Sequence, residues 1–240
     1  MSAVALANLI RERQPCVVLT GAGVSTESGI PDFRSATGIW AEVDPFEVAS
    51  IRAFRRDPAR VWSFYRERLH VLRDAEPNAA HRALAELERR GLVQAVVTQN
   101  IDLLHTRAGS QEVVEVHGSI RSAQCLGCLW SEPADAVLAQ LEQSATPSCP
   151  QCGEVLKPGV VLFGELLPAA AMERATQLAH GARLLLVVGS SLEVWPVAGL
   201  PLEARGFAIV NRGPTALDDR ALLKLDAGAG ETLSAVLDAL

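Results

Sequence analysis

The stretch from Cys16 to Trp40 constrains this chain most. It runs CVVLT and then GAGVSTESGIPDFRSATGIW. A five-residue apolar run, Cys16 to Thr20, has the composition of a strand buried on both faces, as in a parallel sheet covered by helices. It leads directly into Gly21-Ala22-Gly23, where missing side chains permit a tight turn and let backbone N–H groups approach a pyrophosphate. Ser25, Thr26 and Ser28 then offer hydroxyls and a helix cap. Asp32, Phe33 and Arg34 close the stretch with an acid, a ring and a guanidinium side by side. A plain strand-to-helix turn accounts for Gly21 and Gly23 equally well, because Thr26 stands where the third glycine of GxGxxG would be. A dehydrogenase would also need a second strand ending in an acid about 20 residues on. Residues 36–50 contain no such strand. Nucleotide binding stays open and hydride transfer loses ground.

A chain of 240 residues with 49% hydrophobic content can form one large domain or two unequal ones. Its net charge of −6 argues against a general nucleic-acid or anionic-membrane surface. No apolar run reaches the roughly 20 residues of a membrane span. The opening MSAVALANLIRERQP has helical spacing and no leader-like cleavage site, so a cytoplasmic chain is expected. Nothing in the sequence demands more than a monomer. Cys16 sits in the first strand and reads as inert packing. The other cysteines pair as Cys125-x-x-Cys128 and Cys149-x-x-Cys152, with 20 residues between the pairs. That is a zinc pattern, with two disulfides the weaker alternative in a reducing compartment. Four thiolates close a tetrahedron and leave no position for water, so the expected Zn²⁺ is structural.

Further along, Pro45–Arg56 and Pro58–Leu72 read as two amphipathic helices broken at Asp57-Pro58. Asn78 opens a helix that Gly91 ends. Apolar strands are expected at 95–98, 113–116, 183–188, 207–210 and 222–225, with helices between them. His70, His81, His105 and His180 fall within expected helices and read as surface or packing residues. Polar residues follow the strands: Gln99-Asn100, His117, Gly189-Ser190-Ser191 and Asn211. Ligands in open parallel sheets bind at the carboxyl ends of strands. The fold class expected is α/β: a doubly wound parallel Rossmann-like sheet with a smaller helical and zinc-binding module inserted. Residues 1–35, 77–120 and 157–240 would form the nucleotide-binding domain, 36–76 a helical part of the small domain, and 121–156 the zinc module.

GAGVSTESGIPDFR, TQNID, VHG, the two CxxC pairs, VVLFGE, GSSLEVWP and VN, in this order, resemble the sirtuins, the NAD-dependent protein-lysine deacylases. The resemblance implies that NAD is consumed as co-substrate: nicotinamide leaves, and the acyl oxygen of a modified lysine attacks the ribose C1′. The products are free lysine, nicotinamide and 2′-O-acyl-ADP-ribose. It implies His117 as general base, with Asn100 and Asp102 in the nicotinamide pocket near Ile30 and Phe33. It also places Gly21, Ala22, Gly23, Ser25, Thr26, Asp32, Arg34, Trp40, Gln99, Ile101, Gly189, Ser190, Ser191, Asn211, Arg212, Gly213 and Ala229 on the cofactor. Val161, Phe163, Gly164 and Glu165 on one edge and Val194 on the other would clamp an acyl-lysine peptide as an added strand. Ser35 departs from the family, which often has glycine there.

A Tyr-x-x-Arg pair marks the sirtuins that prefer succinyl- and malonyl-lysine, and Tyr65 and Arg68 match it, with Ala49 at the matching small position. Tyr65 and Arg68 lie three apart and share a helix face. A guanidinium offers a bidentate fork to a carboxylate, and acetyl has no such partner to offer. The bland reading makes Arg68 one more solvated arginine and Tyr65 plain packing. The rival activities are a deacetylase without that preference, an ADP-ribosyltransferase or NAD glycohydrolase on the same pocket, and a binding module without turnover.

Overall fold

The computed structural model describes residues 2–33, 35 and 38–240; Arg34 lies outside them. The elements in order are α1 (Ala3–Glu12), β1 (Cys16–Thr20), a 3₁₀ run (Ala22–Ser28), α2 (Ile39–Glu42), α3 (Pro45–Val48), α4 (Ile51–Arg56) and α5 (Pro58–Asp74). Next come α6 (Ala79–Arg89), β2 (Ala95–Thr98), α7 (Leu104–Ala108), β3 (Val113–Glu115), β4 (Gly118–Gln124), β5 (Ser131–Pro133), α8 (Ala134–Leu141) and β6 (Lys157–Val160). The chain finishes with α9 (Ala169–Gly181), β7 (Leu184–Val188), α10 (Leu200–Glu203), β8 (Phe207–Val210), β9 (Leu223–Leu225) and α11 (Ala229–Asp238).

Every residue of β1 is buried because both faces of the sheet are covered. Its side chains alternate between two cores. Cys16 and Val18 enter one with Leu6, Ile10, Leu84 and Leu233 of α1, α6 and α11. Val17 and Leu19 enter the other with Leu178 of α9 and with Val197 and Leu200. The sheet has six strands in the order β3-β2-β1-β7-β8-β9, and all five neighbouring pairs are parallel. From β1 the chain builds outward through β2 and β3 on one side. It then returns to start the other side at β7. The chain thus leaves β1 towards one side of the sheet and β7 towards the other, which makes the β1/β7 boundary the topological switch point of a doubly wound sheet, where ligands bind.

A second sheet is antiparallel, with β4 between β5 and β6. Its core is separate and joins α4, α5 and α8 through Phe54, Trp62, Tyr65, Leu69, Val137 and Leu156. Trp62 is 2% exposed, and its indole N–H donates to the Leu156 carbonyl at 2.7 Å. The ring's area is thus buried without stranding its donor.

Two local expectations fail for long-range reasons. Pro45–Arg56 is two helices and not one. The chain leaves the helix at Ala49 (φ −132°), the Ser50 side chain accepts from Ala53 N to cap α4, and Ser50 bridges Phe163 in parallel. Phe163 N donates to Ala49 O at 2.8 Å, and Ile51 N donates to Phe163 O at 3.0 Å. The glycine loop, second, winds into a 3₁₀ run whose first residues have no side-chain cap. Thr26 Oγ1 turns back to donate to Gly23 O, and the Ser25 hydroxyl is taken by Asp102.

Candidate functional site

The loops after β1 and β7 cross in contact. Gly21 N donates to Val188 O at 3.1 Å and Gly23 N to Gly189 O at 2.9 Å. Gly189 is left-handed (φ +63°), and a Cβ there would collide with the backbone at Gly23 and Val24. A Cβ on Gly21 would lie 2.8 Å from Gly189 O. Bare backbone is required where the strands hand over to the crevice. Beside the crossing, Gln99 Nε2 donates to Ser190 Oγ at 2.9 Å. Asn211 Nδ2 bonds the carbonyls of Arg212 and Gly213. Ala229 begins α11, where the Glu27 carboxylate accepts from Gly230 N at 3.1 Å.

Beneath the loop lies a closed polar cluster. Ser25 Oγ donates to Asp102 Oδ2 at 2.7 Å and accepts from Asn100 Nδ2 at 3.1 Å. The second Asn100 Nδ2 hydrogen goes to Gly21 O at 3.2 Å. Asp102 Oδ1 also accepts from Leu104 N at the start of α7, so this carboxylate caps a helix and orders the loop at once. His81 completes the group. Its Nδ1 accepts from Asn78 N, so Nε2 carries the proton and faces Ser25 Oγ at 3.4 Å. Burial lowers the His81 pKa to about 4, partly offset by Asp102. His105 packs against His81 in a tilted pair with centroids 4.8 Å apart, and burial first, then His81, lowers its pKa to about 3. Its Nε2 meets Thr20 Oγ1 at 2.9 Å. Both imidazoles are packing residues, as expected, but the role of His81 in the polar cluster went unread. Asn78-x-x-His81 at capping-box spacing was the available signal.

His117 follows β3, and its Nδ1 lies 3.0 Å from Gln99 O. A carbonyl only accepts, so Nδ1 holds the proton and Nε2 is the basic nitrogen. His117 O accepts from Val161 N at 2.8 Å, tying the backbone at residue 117 to the 161–165 segment. The Lys157 ammonium, 5% exposed, donates to Pro158 O, Val160 O and the Glu165 carboxylate at 3.0, 2.7 and 3.0 Å. Glu165 also accepts from Leu162 N at 2.8 Å. These bonds fix the shape of the loop. Gly164 is left-handed (φ +88°). On the opposite side Val194 O accepts from Ala198 N.

An aromatic chain continues from Phe33. Phe33 stacks on Trp40 at 5.1 Å, Trp40 on Phe64 at 5.9 Å, and Trp40 meets Phe163 edge-on at 6.4 Å. Arg68 Cζ lies 3.4 Å over the Phe64 ring, and Nη1 donates to Phe64 O. Arg68 Nε is buried without an acceptor, and burial lowers the pKa of this guanidinium. Tyr65 packs edge-on against Phe64, and burial pushes its phenol up. Ala49 is buried beside them. Ile30 N donates to Ser25 O, Asp32 Oδ1 accepts from Ser35 N, and Ile101 O accepts from Ile120 N.

Cys125, Cys128, Cys149 and Cys152 bring their four Sγ atoms within 4.8 Å of one another. The Cys125–Cys152 and Cys128–Cys149 pairs are 3.4 and 3.5 Å apart. A ZnS₄ tetrahedron with bonds of about 2.3 Å has edges of roughly 3.8 Å, so the four thiols could hold one structural zinc.

Crossing glycine loops at the switch point, with an amide–hydroxyl–carboxylate cluster below, define a nucleotide-binding α/β protein with an attached four-cysteine lobe. The Sir2 family matches residues 21–196, and the chain belongs to that family. The NAD-dependent protein deacylase 2 of Archaeoglobus fulgidus is 44% identical over 237 residues, 97% of this chain and 93% of its own length. The NAD-dependent protein deacetylase of Caldivirga maquilingensis is 44% identical over 235 residues, 96% and 90% of the two chains. Among solved structures, a Sir2 protein with a deacetylated p53 peptide and 3′-O-acetyl ADP ribose superposes with TM-score 0.95 at 40% identity, covering 99% of this chain and 98% of its own. One bound to a propionylated peptide gives 0.91 at 39%, with the same coverage. No helix among the described residues is long and apolar enough to cross a membrane.

Proposed function

We propose that this chain is an NAD-dependent protein-lysine deacylase that removes succinyl and malonyl groups in preference to acetyl. NAD, as co-substrate, supplies the ribose C1′ that accepts the acyl oxygen once nicotinamide has left. The crossing at Gly21, Gly23 and Gly189 gives the pyrophosphate bare N–H groups. Gln99, Ser190, Ser191, Asn211, Arg212, Gly213 and Ala229 surround the remainder of the nucleotide. Asn100 and Asp102, held by Ser25, face the nicotinamide end with Ile30 and Phe33, and the ring pair Phe33–Trp40 keeps water out of it. His117, with its proton fixed on Nδ1 by the Gln99 carbonyl, takes a proton from the ribose hydroxyls at Nε2. The segment Val161–Glu165, braced by Lys157, and the segment around Val194 hold the peptide. Residues 1–35, 77–120 and 157–240 form the NAD-binding part. The four cysteines hold zinc as a closed cross-link far from the chemistry.

The observation that carries the acyl preference is Arg68. It is a half-buried guanidinium that makes no ion pair among the described residues and has one buried N–H without an acceptor, beside Phe64 in the aromatic chain that reaches Phe163. A carboxylate at the end of the acyl group would take that N–H and restore the lost solvation. The test is kcat/KM on matched succinyl and acetyl peptides. Wild type is expected to favour succinyl, and Arg68→Met to lower succinyl turnover about 10- to 100-fold, the worth of a charge-assisted pair. Unchanged succinyl turnover in Arg68→Met would leave the preference without support. His117→Tyr is expected to abolish nicotinamide release with the fold intact.

A further inference from the structure

We infer that the groove between α4 and the Phe163–Gly164 turn seats an acidic side chain of the substrate protein beside the acyl-lysine, with Arg52 and Arg56 as the cations that read it. This rests on the deacylase reading and adds a rule for the substrate. The groove encloses about 390 Å³ and is lined by Phe46, Arg52, Arg56, Phe163 and Gly164, with Ser50 and Ile51 beneath. It is continuous with the segment assigned to the peptide. The N–H and carbonyl of Phe163 are both taken by Ala49 and Ile51, so this side of the turn has no free strand edge at that residue. Recognition there falls to side chains.

The charge of those side chains is one-sided. Glu47 is the one carboxylate at the groove, and it is shared by Arg56 at 2.7 Å and Arg60 at 3.2 Å. Arg52, exposed on the groove wall, has no ion pair or hydrogen bond among the described residues. The nearest other acid in sequence, Asp57, is occupied in capping α5 through Arg60 N. In a chain of net charge −6, the wall beside the peptide segment thus carries Arg52 without an ion pair among the described residues, next to Arg56, which shares Glu47 with Arg60. Phe46, 64% exposed, packs tilted against Phe163 with ring centroids 5.4 Å apart and gives the groove an apolar rim for the stem of an incoming side chain. A glutamate fits this combination, with methylenes against Phe46 and a carboxylate against Arg52; a lysine would meet two cations. Exposed pairs of this kind are modest in strength and screened by salt. Their effect is selection among sites rather than binding as such.

The experiment is calorimetric binding of acetyl-lysine peptides, whose acyl group carries no charge, to the full chain. Glu, Gln or Lys is placed singly at each position within three residues of the modified lysine. At least one position is expected to show Glu binding about 3- to 5-fold tighter than Gln, and Lys weaker than either, at about 50 mM salt. The ratio should shrink towards one at about 0.5 M salt. In R52Q/R56Q, checked for an unaltered melting temperature, the Glu-to-Gln ratio should fall below about twofold. Equal affinities at every position in the wild type, or a preference that survives in R52Q/R56Q, would overturn the assignment. Nicotinamide release from the Gln peptides, followed in parallel, tests the deacylase reading separately. Release without charge preference sinks the groove alone, and charge preference without release sinks the activity alone.

Discussion

Moderate acid is expected to weaken the parallel-sheet part of this protein before most carboxylates titrate, because two imidazoles are buried under the glycine loop. His81 and His105 are 0% and 2% exposed. Burial is the leading cause that holds their folded pKa values at about 4 and about 3. In the unfolded chain both return to about 6.5. Between those limits the unfolded chain binds more protons than the folded one, so stability rises with pH. The contribution is complete above about pH 6.5 and is lost as the pH falls from there towards the folded values. From about pH 7.5 to about pH 5.5 each histidine accounts for nearly one pKa unit, about 1.4 kcal/mol, and the two together for about 3 kcal/mol. In a chain of this length that corresponds to a fall of about 5 to 10 °C in Tm. Urea unfolding followed by far-ultraviolet circular dichroism gives the free energy at each pH. His105→Gln is destabilised at every pH, but its pH slope should be about half that of the wild type, and the slope in His81→Gln/His105→Gln should nearly vanish. A wild-type stability that is flat across this window, or a double variant that keeps the full slope, would refute the argument.

Two other perturbations probe the frame around the site. Gly189→Ala places a Cβ on a left-handed residue that presses on Gly23 and Val24. The backbone alone costs about 1 to 2 kcal/mol, and the collision adds to it; a wild-type urea midpoint would contradict the crossing. Treatment with a strong chelator should remove about one zinc per chain and lower the melting temperature, since a structural site contributes folding energy. Unchanged melting of verified metal-free protein would show that the four cysteines carry no such load.

What the sequence made legible follows from the topology. In a parallel sheet each strand ends at the same edge, so the residues just after apolar runs gather there whatever their distance along the chain. Gly21, Gln99, His117, Gly189 and Asn211 could be placed together on that ground alone. The CxxC pairs were legible because metal geometry fixes their spacing. Packing between distant segments was not. The helix break at Ala49 depends on Phe163, more than a hundred positions later, and no local propensity at Ala49-Ser50 announces it. The hydroxyls after Gly23 suit a capped helix, but Ser25 gives its hydroxyl to Asp102 and the turn tightens to 3₁₀. His81 has the spacing of a packing residue on α6, and only the fold shows Nε2 pointing at Ser25.

These failures share a cause that bears on the chemistry. A hydroxyl used as a helix cap would be spent locally, whereas Ser25 spans 77 positions to hold a carboxylate buried beneath the glycine loop. Asn100 is held in the same way, by Gly21 O and Ser25 Oγ, so the amide and the acid move only if the loop moves. The local rule is broken at Ser25 because a side chain committed to its own helix is not available to position another. The 49–51 segment makes the same exchange. Giving up one helical turn lets the backbone brace Phe163, and the same break sets Arg52 in the first turn of α4, on the groove it shares with Phe163. Irregularity in this fold therefore tracks contacts between distant segments, at the glycine loop and at the Phe163 turn.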